Sequence, residues 1–388
     1  MEHKIWKEYH MPTKLHKHHH ANMKIQKGAA DKPFLYATLA LFVVGFMILL
    51  SASMTISYKN YGSITYYAVH QFLFGGIIGI SALFVCQLIP YRYWKHLALQ
   101  LVIVSFILLA LIFIPQLSYI AGGARRWFKL GPINFQPSEI LKFGFIIYLA
   151  SWLDARRKEI RSISYGVIPF VLMISIIGIF LMMQPDFGTF SLILGTAGIM
   201  YFLSGGKKSQ MGGMLAFGSV ALYFLIQLAP YRLTRLLVFL NPTHDIKGFG
   251  YQINQASIAI GSGGFWGLGF GSSLQKYNYL PEPMTDSIFA IFAEEMGFIG
   301  ASALALFFIF FFWRALHIAK KAPDIFGQLL AAGLAISIMT QAFINMAAIS
   351  GVLPLTGITL PFVSYGSTSL IITMCMAGII LNISKHKS

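Results

Sequence analysis

The chain has 388 residues, 56% of them hydrophobic and only 11% charged, with 34 Phe and a formal net charge of +16. Soluble domains carry about 25% charged residues, so this composition excludes a string of soluble domains and points to a polytopic membrane protein folded as one bundle. The two Cys, Cys86 and Cys375, fall in separate apolar runs. They exclude a disulfide framework and give no metal-site spacing.

Residues 1–33 read as a basic, disordered cytoplasmic tail against anionic headgroups, holding six of the eleven His. Metal binding by His18, His19 and His20 is the alternative there. The first apolar run begins near Phe34 and carries no cleavage pattern, so no signal peptide is expected. From there the hydropathy pattern predicts an all-α, ten-helix membrane domain over 34–383, with residues 384–388 as a cytoplasmic C-terminus. The spans fall at about 34–53, 66–89, 97–115, 138–153, 166–183, 187–203, 211–229, 286–313, 328–350 and 362–383, lengths suited to a bilayer core.

With the N-terminus inside, 20 of the 29 Lys and Arg fall on the cytoplasmic side. The excess follows the positive-inside rule, so most of the charge is topology and no nucleic-acid footprint is implied. The outer cations are Lys59, Arg125, Arg126, Lys129, Arg232, Arg235, Lys247 and Lys276. All but Lys59 sit in two long external loops, about 116–137 and 230–285, and long loops in compact bundles tend to be functional.

The first loop carries Gly122, Gly123, Arg125, Arg126 and Trp127. Adjacent arginines there could anchor in the interface or grip a phosphate. Beyond it, Pro137 opens a helix, and Glu139 and Lys142 are three apart on one face. They read either as a structural pair that fixes helix packing or as substrate contacts. Asp186, between spans five and six, reads as a helix cap. Arg232 and Arg235, before Pro242, could face lipid headgroups or a pyrophosphate.

The stretch from Gly248 to Gly300 organises the rest. Eight Gly lie between Gly248 and Gly271. At about 1 kcal/mol per Gly against Ala, no ordinary helix is expected there. The polar cluster that follows supplies Ser273, Gln275 and Lys276 as substrate-binding candidates, with Glu282 beyond. Asp286 then stands at the mouth of a long apolar helix, and an acid in such a place is expensive and usually functional. Ala290, Ala293 and Gly297 line the helix face below it, leaving a groove for a lipid chain or a neighbouring helix. A carboxylate over such a groove, backed by outer cations, suits general-base chemistry on a lipid-linked substrate; capping of the helix is the plainer role. Glu294 and Glu295, two turns deeper, read as packing or hydrogen-bonding groups. The last outer turn, 351–367, places Pro and Gly at membrane depth, where irregular backbone survives only over protein or a watery cavity.

Together these stretches resemble the SEDS family (shape, elongation, division and sporulation) from about Phe34 to Ile383. The resemblance rests on GGARRWFKLGPINFQPSEILKF, QPDFGT, GYQINQASIAIGSGGFWGLGFGSSLQKYNYLPEPMTDSIFAIFAEEMGF and LPLTGITLPFVSYGSTSL. Gln275-Lys276, Tyr279 to Glu282, and Thr356 look more like the division branch than the elongation branch. The resemblance implies a peptidoglycan glycosyltransferase that polymerises lipid II on the outer face of the cytoplasmic membrane at the septum. It also implies a partner, a single-span class B penicillin-binding protein transpeptidase, among other division proteins. The family's proposed catalytic acid falls on Asp286, its motif tryptophan on Trp127 and its helix pair on Glu139 and Lys142. Met284 and Ser287 stand where the family usually has His and Phe, which removes one possible second proton shuttle, and Ser367 follows Gly366 where a second Gly is usual.

On this reading Asp286 takes a proton from an acceptor sugar hydroxyl. The outer arginines, Lys276 or a divalent cation such as Mg or Mn stabilise the departing pyrophosphate. The rival functions are a lipid II flippase, the elongation-type polymerase of the same family, and a pure scaffold.

Overall fold

The computed structural model describes residues 26–121, 124–131, 133–227, 230–241, 245 and 248–387. Most of the His-rich tail, Gly122, Gly123, Pro242 and Lys247 lie outside the described residues. Helices occupy all ten expected spans: α1 (Lys32–Tyr61), α2 (Tyr66–Leu88), α3 (Tyr91–Leu111), α4 (Pro137–Ala155), α5 (Ile163–Met183), α6 (Phe187–Leu203) and α7 (Lys208–Gln227) precede the second outer loop. Within that loop lie α8 (Pro230–Leu240) and α9 (Phe249–Gly263), and after it come α10 (Ile288–Lys320), α11 (Ile325–Ile349) and α12 (Ser367–Ser384). Seven of them are long and apolar enough to cross a membrane. At 17 residues α6 is shorter, and α4 carries Glu139, Lys142 and Asp154.

Helix ends follow local chemistry. Asp31 caps α1 by accepting from the Phe34 N–H at 3.0 Å, Pro33 sits in the first turn, and Gly62 at φ 68° ends the helix. Asp324 caps α11 in the same way through the Gly327 N–H at 2.8 Å. At the centre, α11 packs on α4, α6 and α10, while α12 packs on α2. Lipid tails are as apolar as Leu, so close packing rather than hydrophobic burial holds such helices together. The small residues Ala331, Ala332, Ala335 and Ser337 of α11, all buried, permit that approach.

The first and last described residues meet at one side of the bundle. The short strands β1 (Gln26–Lys27) and β5 (His386–Lys387) pair antiparallel, and Arg314 holds Asp31 at 2.7 Å. At the opposite end, the first outer loop is a three-stranded antiparallel sheet in the order β2 (Ser118–Ala121), β3 (Ala124–Leu130), β4 (Ile133–Phe135). Trp127 stands opposite Tyr119, and Phe128 opposite Phe135. The fold is helical, with this small sheet added to it.

Two expectations from the Gly-rich stretch are corrected. A regular 15-residue helix, α9, forms inside it, because Gly250, Gly261 and Gly263 lie near its ends and Tyr251 to Ile260 contains none. The span expected over 286–313 is also not one continuous helix. It breaks at Gly297 (φ 64°, ψ −167°), leaving a short segment from Ile288 to Met296 and a 23-residue crossing from Phe298 to Lys320. That crossing is about 34 Å long, enough for a bilayer core.

The Gly-rich segment after α9 repairs the break. The Phe298 and Ile299 N–H groups donate to the Gly264 and Phe265 carbonyls at 2.9 and 3.3 Å, and the Leu268 and Gly269 N–H groups donate to the Glu294 and Glu295 carbonyls at 3.0 and 2.9 Å. The two backbones run so close that a Cβ on Gly297 would sit 2.3 Å from the Gly267 nitrogen, and one on Gly267 would sit 2.2 Å from the Glu295 oxygen. The small-residue face below Asp286 is taken by α9: a Cβ on Gly263 would meet the Ala293 oxygen at 2.2 Å. Of the two occupants expected for that groove, the structure places a neighbouring helix there.

Candidate active site

Asp286 lies on the turn between the Gly-rich segment and α10, at the same end as the β2–β4 sheet. Hydrogen bonds from three directions fix the turn. Asn345 Nδ2 donates to the Asp286 carbonyl at 2.9 Å and to the Ile358 carbonyl at 2.7 Å. Ser364 Oγ donates to the Thr285 carbonyl at 2.6 Å, and the Tyr365 N–H to the Met284 carbonyl at 2.8 Å. Ser287 Oγ donates to the Pro281 carbonyl at 2.9 Å and accepts from Gln252 Nε2 at 3.0 Å. The last outer turn, 351–367, is therefore bonded directly to the Asp286 turn. Ser287, not Asp286, occupies the cap position of α10.

The Asp286 side chain is thus left for other work. It is half-buried, and Oδ2 faces Gly357, where an added Cβ would lie 3.4 Å away. Burial first, and then the neighbouring Glu282 charge, push its pKa from 3.8 up to about 6, against the pull of Arg235 and Arg126. A carboxylate in that range is ionised at neutral pH yet basic enough to take a proton.

The two guanidiniums come from different elements. Arg235 projects from α8 with its cation 4.6 Å from the Phe249 ring centroid, and Nη1 donates to the Thr356 carbonyl at 3.3 Å. Burial and the nearby Arg126 hold its pKa below the ordinary value. Its Nε, like Thr356 Oγ1, is buried without a hydrogen-bond partner among the described residues. Arg126 projects from β3, and Nε donates to the Gln184 carbonyl at 3.2 Å while Nη2 donates to the Pro185 carbonyl. The site is a carboxylate beside two cations, with unsatisfied donors left over. Such a set can take a proton and hold a polyanion.

Comparison with known proteins decides the family. A family model described as "Cell cycle protein", covering FtsW, RodA and SpoVE, matches residues 32–388. The chain belongs to the FtsW/RodA/SpoVE family. Stage V sporulation protein E of Bacillus subtilis (strain 168) is 37% identical over 364 residues, 94% of this chain and 99% of that protein. The probable peptidoglycan glycosyltransferase FtsW of Geobacter sp. (strain M18) is 37% identical over 354 residues, 91% and 96% of the two chains. Among solved structures, one chain of a peptidoglycan synthase complex that coordinates polymerization and crosslinking superposes with TM-score 0.76 and 28% identity, over 92% of this chain and 98% of that one. The rod shape determining protein RodA of Thermus thermophilus superposes with TM-score 0.68 and 27% identity, over 92% and 97%. This FtsW/RodA/SpoVE protein is a multi-pass membrane protein.

Not every residue singled out in the sequence reaches the Asp286 site. Lys276 and Ser273 are corrected. Both are sealed in a buried network, 1% and 0% exposed, so they are not placed to touch a substrate. Lys276 Nζ lies 2.9 Å from Glu295 Oε1 and donates to the Gly271 carbonyl at 2.7 Å and to Ser51 Oγ at 3.1 Å. Ser51 in turn donates to Glu295 at 2.6 Å, and Ser273 Oγ donates to Glu294. A charge drawn out of water into the bundle needs such a partner set. The Gln275 N–H donates to Glu294 at 3.4 Å, and its Oε1 is buried without a partner among the described residues. Glu282 is exposed and accepts from Thr285 Oγ1 at 2.7 Å. Arg125 is exposed on β3 and Trp127 half-buried beside it. Among the described residues, neither bonds to the Asp286 turn.

Glu139 and Lys142 form a buried pair at 2.6 Å, extended by a bond from Lys142 Nζ to Gln341 Oε1 at 2.7 Å. Gln341 Nε2 donates to the Thr359 carbonyl at 3.0 Å, which ties the pair to the outer turn. Asp186 caps α6 through the Thr189 N–H at 3.2 Å. A divalent cation gains no support from the donor set. No cluster of three or more His, Cys, Asp or Glu occurs among the described residues, and the charges of Arg126 and Arg235 act on Asp286. Asn345 and Ser51 were missed by sequence reasoning. Their signal was a polar side chain inside an apolar span, which in lipid implies a partner.

Proposed function

We propose that this protein is a peptidoglycan glycosyltransferase that polymerises lipid II on the outer face of the cytoplasmic membrane, with Asp286 as general base. The half-buried Asp286 carboxylate, its pKa raised to about 6 by burial and Glu282 against the pull of Arg235 and Arg126, carries this reading. Asp286 accepts the proton from the 4-hydroxyl of the acceptor GlcNAc. The resulting oxygen attacks C1 of the donor MurNAc, the bond from C1 to the undecaprenyl pyrophosphate oxygen breaks, and a single displacement inverts that centre. The leaving pyrophosphate needs charge stabilisation and not protonation, so one carboxylate suffices. Arg126 and Arg235 supply that charge.

The division-branch resemblance and the FtsW-named relatives favour action at the septum, beside a class B penicillin-binding protein that crosslinks the strands. A lipid carrier would string ionisable groups along a path through the bundle. Here Lys276, Glu294 and Glu295 are tied up with one another and with Ser51 and Ser273, which weighs against a flippase. The deciding assay is polymerisation of purified lipid II by the wild-type protein and by Asp286→Asn. Strands from the wild type and none from the variant are expected; no strands from a folded wild type would sink the proposal.

A further inference from the structure

Beside the Asp286 turn, aromatic side chains form a continuous track. Tyr61, the last residue of α1, stacks on Tyr66 with ring centroids 3.5 Å apart and planes 13° from parallel. Tyr67 stands edge-on to both, at 5.6 and 5.5 Å, and edge-on to Tyr365 at 5.3 Å. The Tyr365 hydroxyl is hydrogen-bonded to His70 Nδ1 at 3.0 Å. The track is open at one end, where Tyr61 is 52% and Tyr66 38% exposed. At the other it reaches Tyr365, whose N–H holds the Met284 carbonyl two residues before Asp286.

Interfacial tyrosines of membrane proteins form belts around a bundle, their amphipathic rings at headgroup level. These rings differ, because they are packed on one another and run toward a single point, the turn that carries Asp286. Their rim is polar, with Lys59 the one charge in the last turn of α1 among the described residues. Asn60 Nδ2 donates to the Tyr67 hydroxyl at 3.1 Å, and the Ser63 and Thr65 hydroxyls lie 3.4 Å apart in the adjoining turn. Aromatic faces bordered by amide and hydroxyl groups complement a pyranose, which offers C–H bonds on its face and hydroxyls at its edge. The ring faces, unlike the rim donors, offer nothing to a phosphate. The occupant that fits is a neutral stretch of sugar rings leading away from the reacting atoms.

We propose that Tyr61, Tyr66 and Tyr67, with Tyr365 at the inner end, form a saccharide-binding track that holds the amino-sugar strand next to Asp286. The assignment rests on the polymerase reading of the Asp286 site, since that reaction generates such a strand there. The track makes the enzyme retain its product between additions, so it governs strand length more than the rate of a single transfer.

Two measurements test it, and they separate its failure from failure of the polymerase reading. In the first, chitotetraose binding to the full chain is followed by saturation-transfer NMR, with Tyr61→Ala/Tyr66→Ala against Tyr61→Phe/Tyr66→Phe. The alanine variant is expected to bind about tenfold more weakly and the phenylalanine variant to stay near wild type, because stacking needs only the ring. This arm needs no catalysis, so it stands even if the wild type makes no polymer. In the second, lipid II products are sized. Alanine should shorten the strands, while phenylalanine restores their length. Equal saccharide binding by wild type and the alanine variant, or none by either, overturns the proposal. Unchanged strand length does so too. Normal binding and length with weakened association of a partner transpeptidase would assign the rings to a protein interface instead, and would also overturn it.

Discussion

Replacing Asp286 with Asn separates what the carboxylate does for chemistry from what it does to the fold. Its pKa rises from 3.8 to about 6 on folding. At about 1.4 kcal/mol per pH unit, keeping it ionised costs the folded state about 3 kcal/mol at pH 8, as an upper estimate. The folded pKa lies above the unfolded one, so the folded chain binds more protons between about pH 4 and pH 6. Stability of the wild type should therefore rise as pH falls through 6 toward 4. Asn keeps the shape and carries no charge, so Asp286→Asn should unfold at a higher temperature at pH 8 and lose the acid-side gain. A general base contributes about 10²–10⁴ in rate, so polymerisation should drop by that much. Thermal unfolding in detergent at pH 5 and pH 8, alongside strand formation from purified lipid II, reads both effects. Near wild-type polymerisation by well-folded Asp286→Asn would refute the base assignment, and Glu282 would be the next candidate. A variant less stable than wild type at pH 8 would refute the account of the raised pKa.

Other consequences can be checked separately. Arg235 pulls the Asp286 pKa down, so Arg235→Ala should move the acid limb of the pH–rate profile to higher pH; a limb that stays put would remove Arg235 from the site. Breaking the buried Lys276–Glu295 pair through Glu295→Leu should cost about 3–5 kcal/mol, and Lys276→Met/Glu295→Leu should recover most of it, as thermal unfolding would show. Gly297→Ala sets a methyl group 2.3 Å from the Gly267 nitrogen at positive φ, so folded yield after membrane extraction should collapse. Lys129→Cys should label from outside intact cells and Lys158→Cys should not; the reverse pattern would invert the topology and remove Asp286 from the outer face.

The bundle was legible in the sequence because hydropathy alone reports bilayer crossing, and a helix stands at each of the ten expected spans. The site was legible in part. Asp286 and Arg235 are titratable groups at the ends of apolar runs, and such groups stand out against lipid-facing sequence. The break at Gly297 was not legible, because the apolar pattern continues from Ile288 to Phe312 without a change of period. Only the backbone of Gly264 to Gly269, brought alongside, shows where the hydrogen bonds of that turn went. Lys276 was misread for a related reason. A cation in an outer loop looks available to a substrate until the fold brings Ser51, 225 residues away in sequence, and Glu295 against it. The α9 helix was misread because composition was averaged over Gly248 to Gly271, while helix stability depends on where each Gly falls.

The break in α10 and the buried charges around it act together on Asp286. An unbroken helix from 288 to 320 would satisfy its own backbone and leave the Gly-rich segment nothing to bind. The positive φ at Gly297 releases those groups, and Gly264 to Gly269 take them up. Lys276 ties the segment through Glu295 to Ser51 on α1, and Glu294 gathers Ser273 and the N–H groups of Leu274 and Gln275. The segment is thus clamped at both carboxylates shortly before it turns upward to Asp286. Asn345 and Ser364 then hold the turn from the other side. Positioning a catalytic group to within about 1 Å can matter 10²-fold in rate, and a free surface loop does not provide that. The buried charges cost stability and stand away from Asp286, yet they tether the segment that leads to its turn.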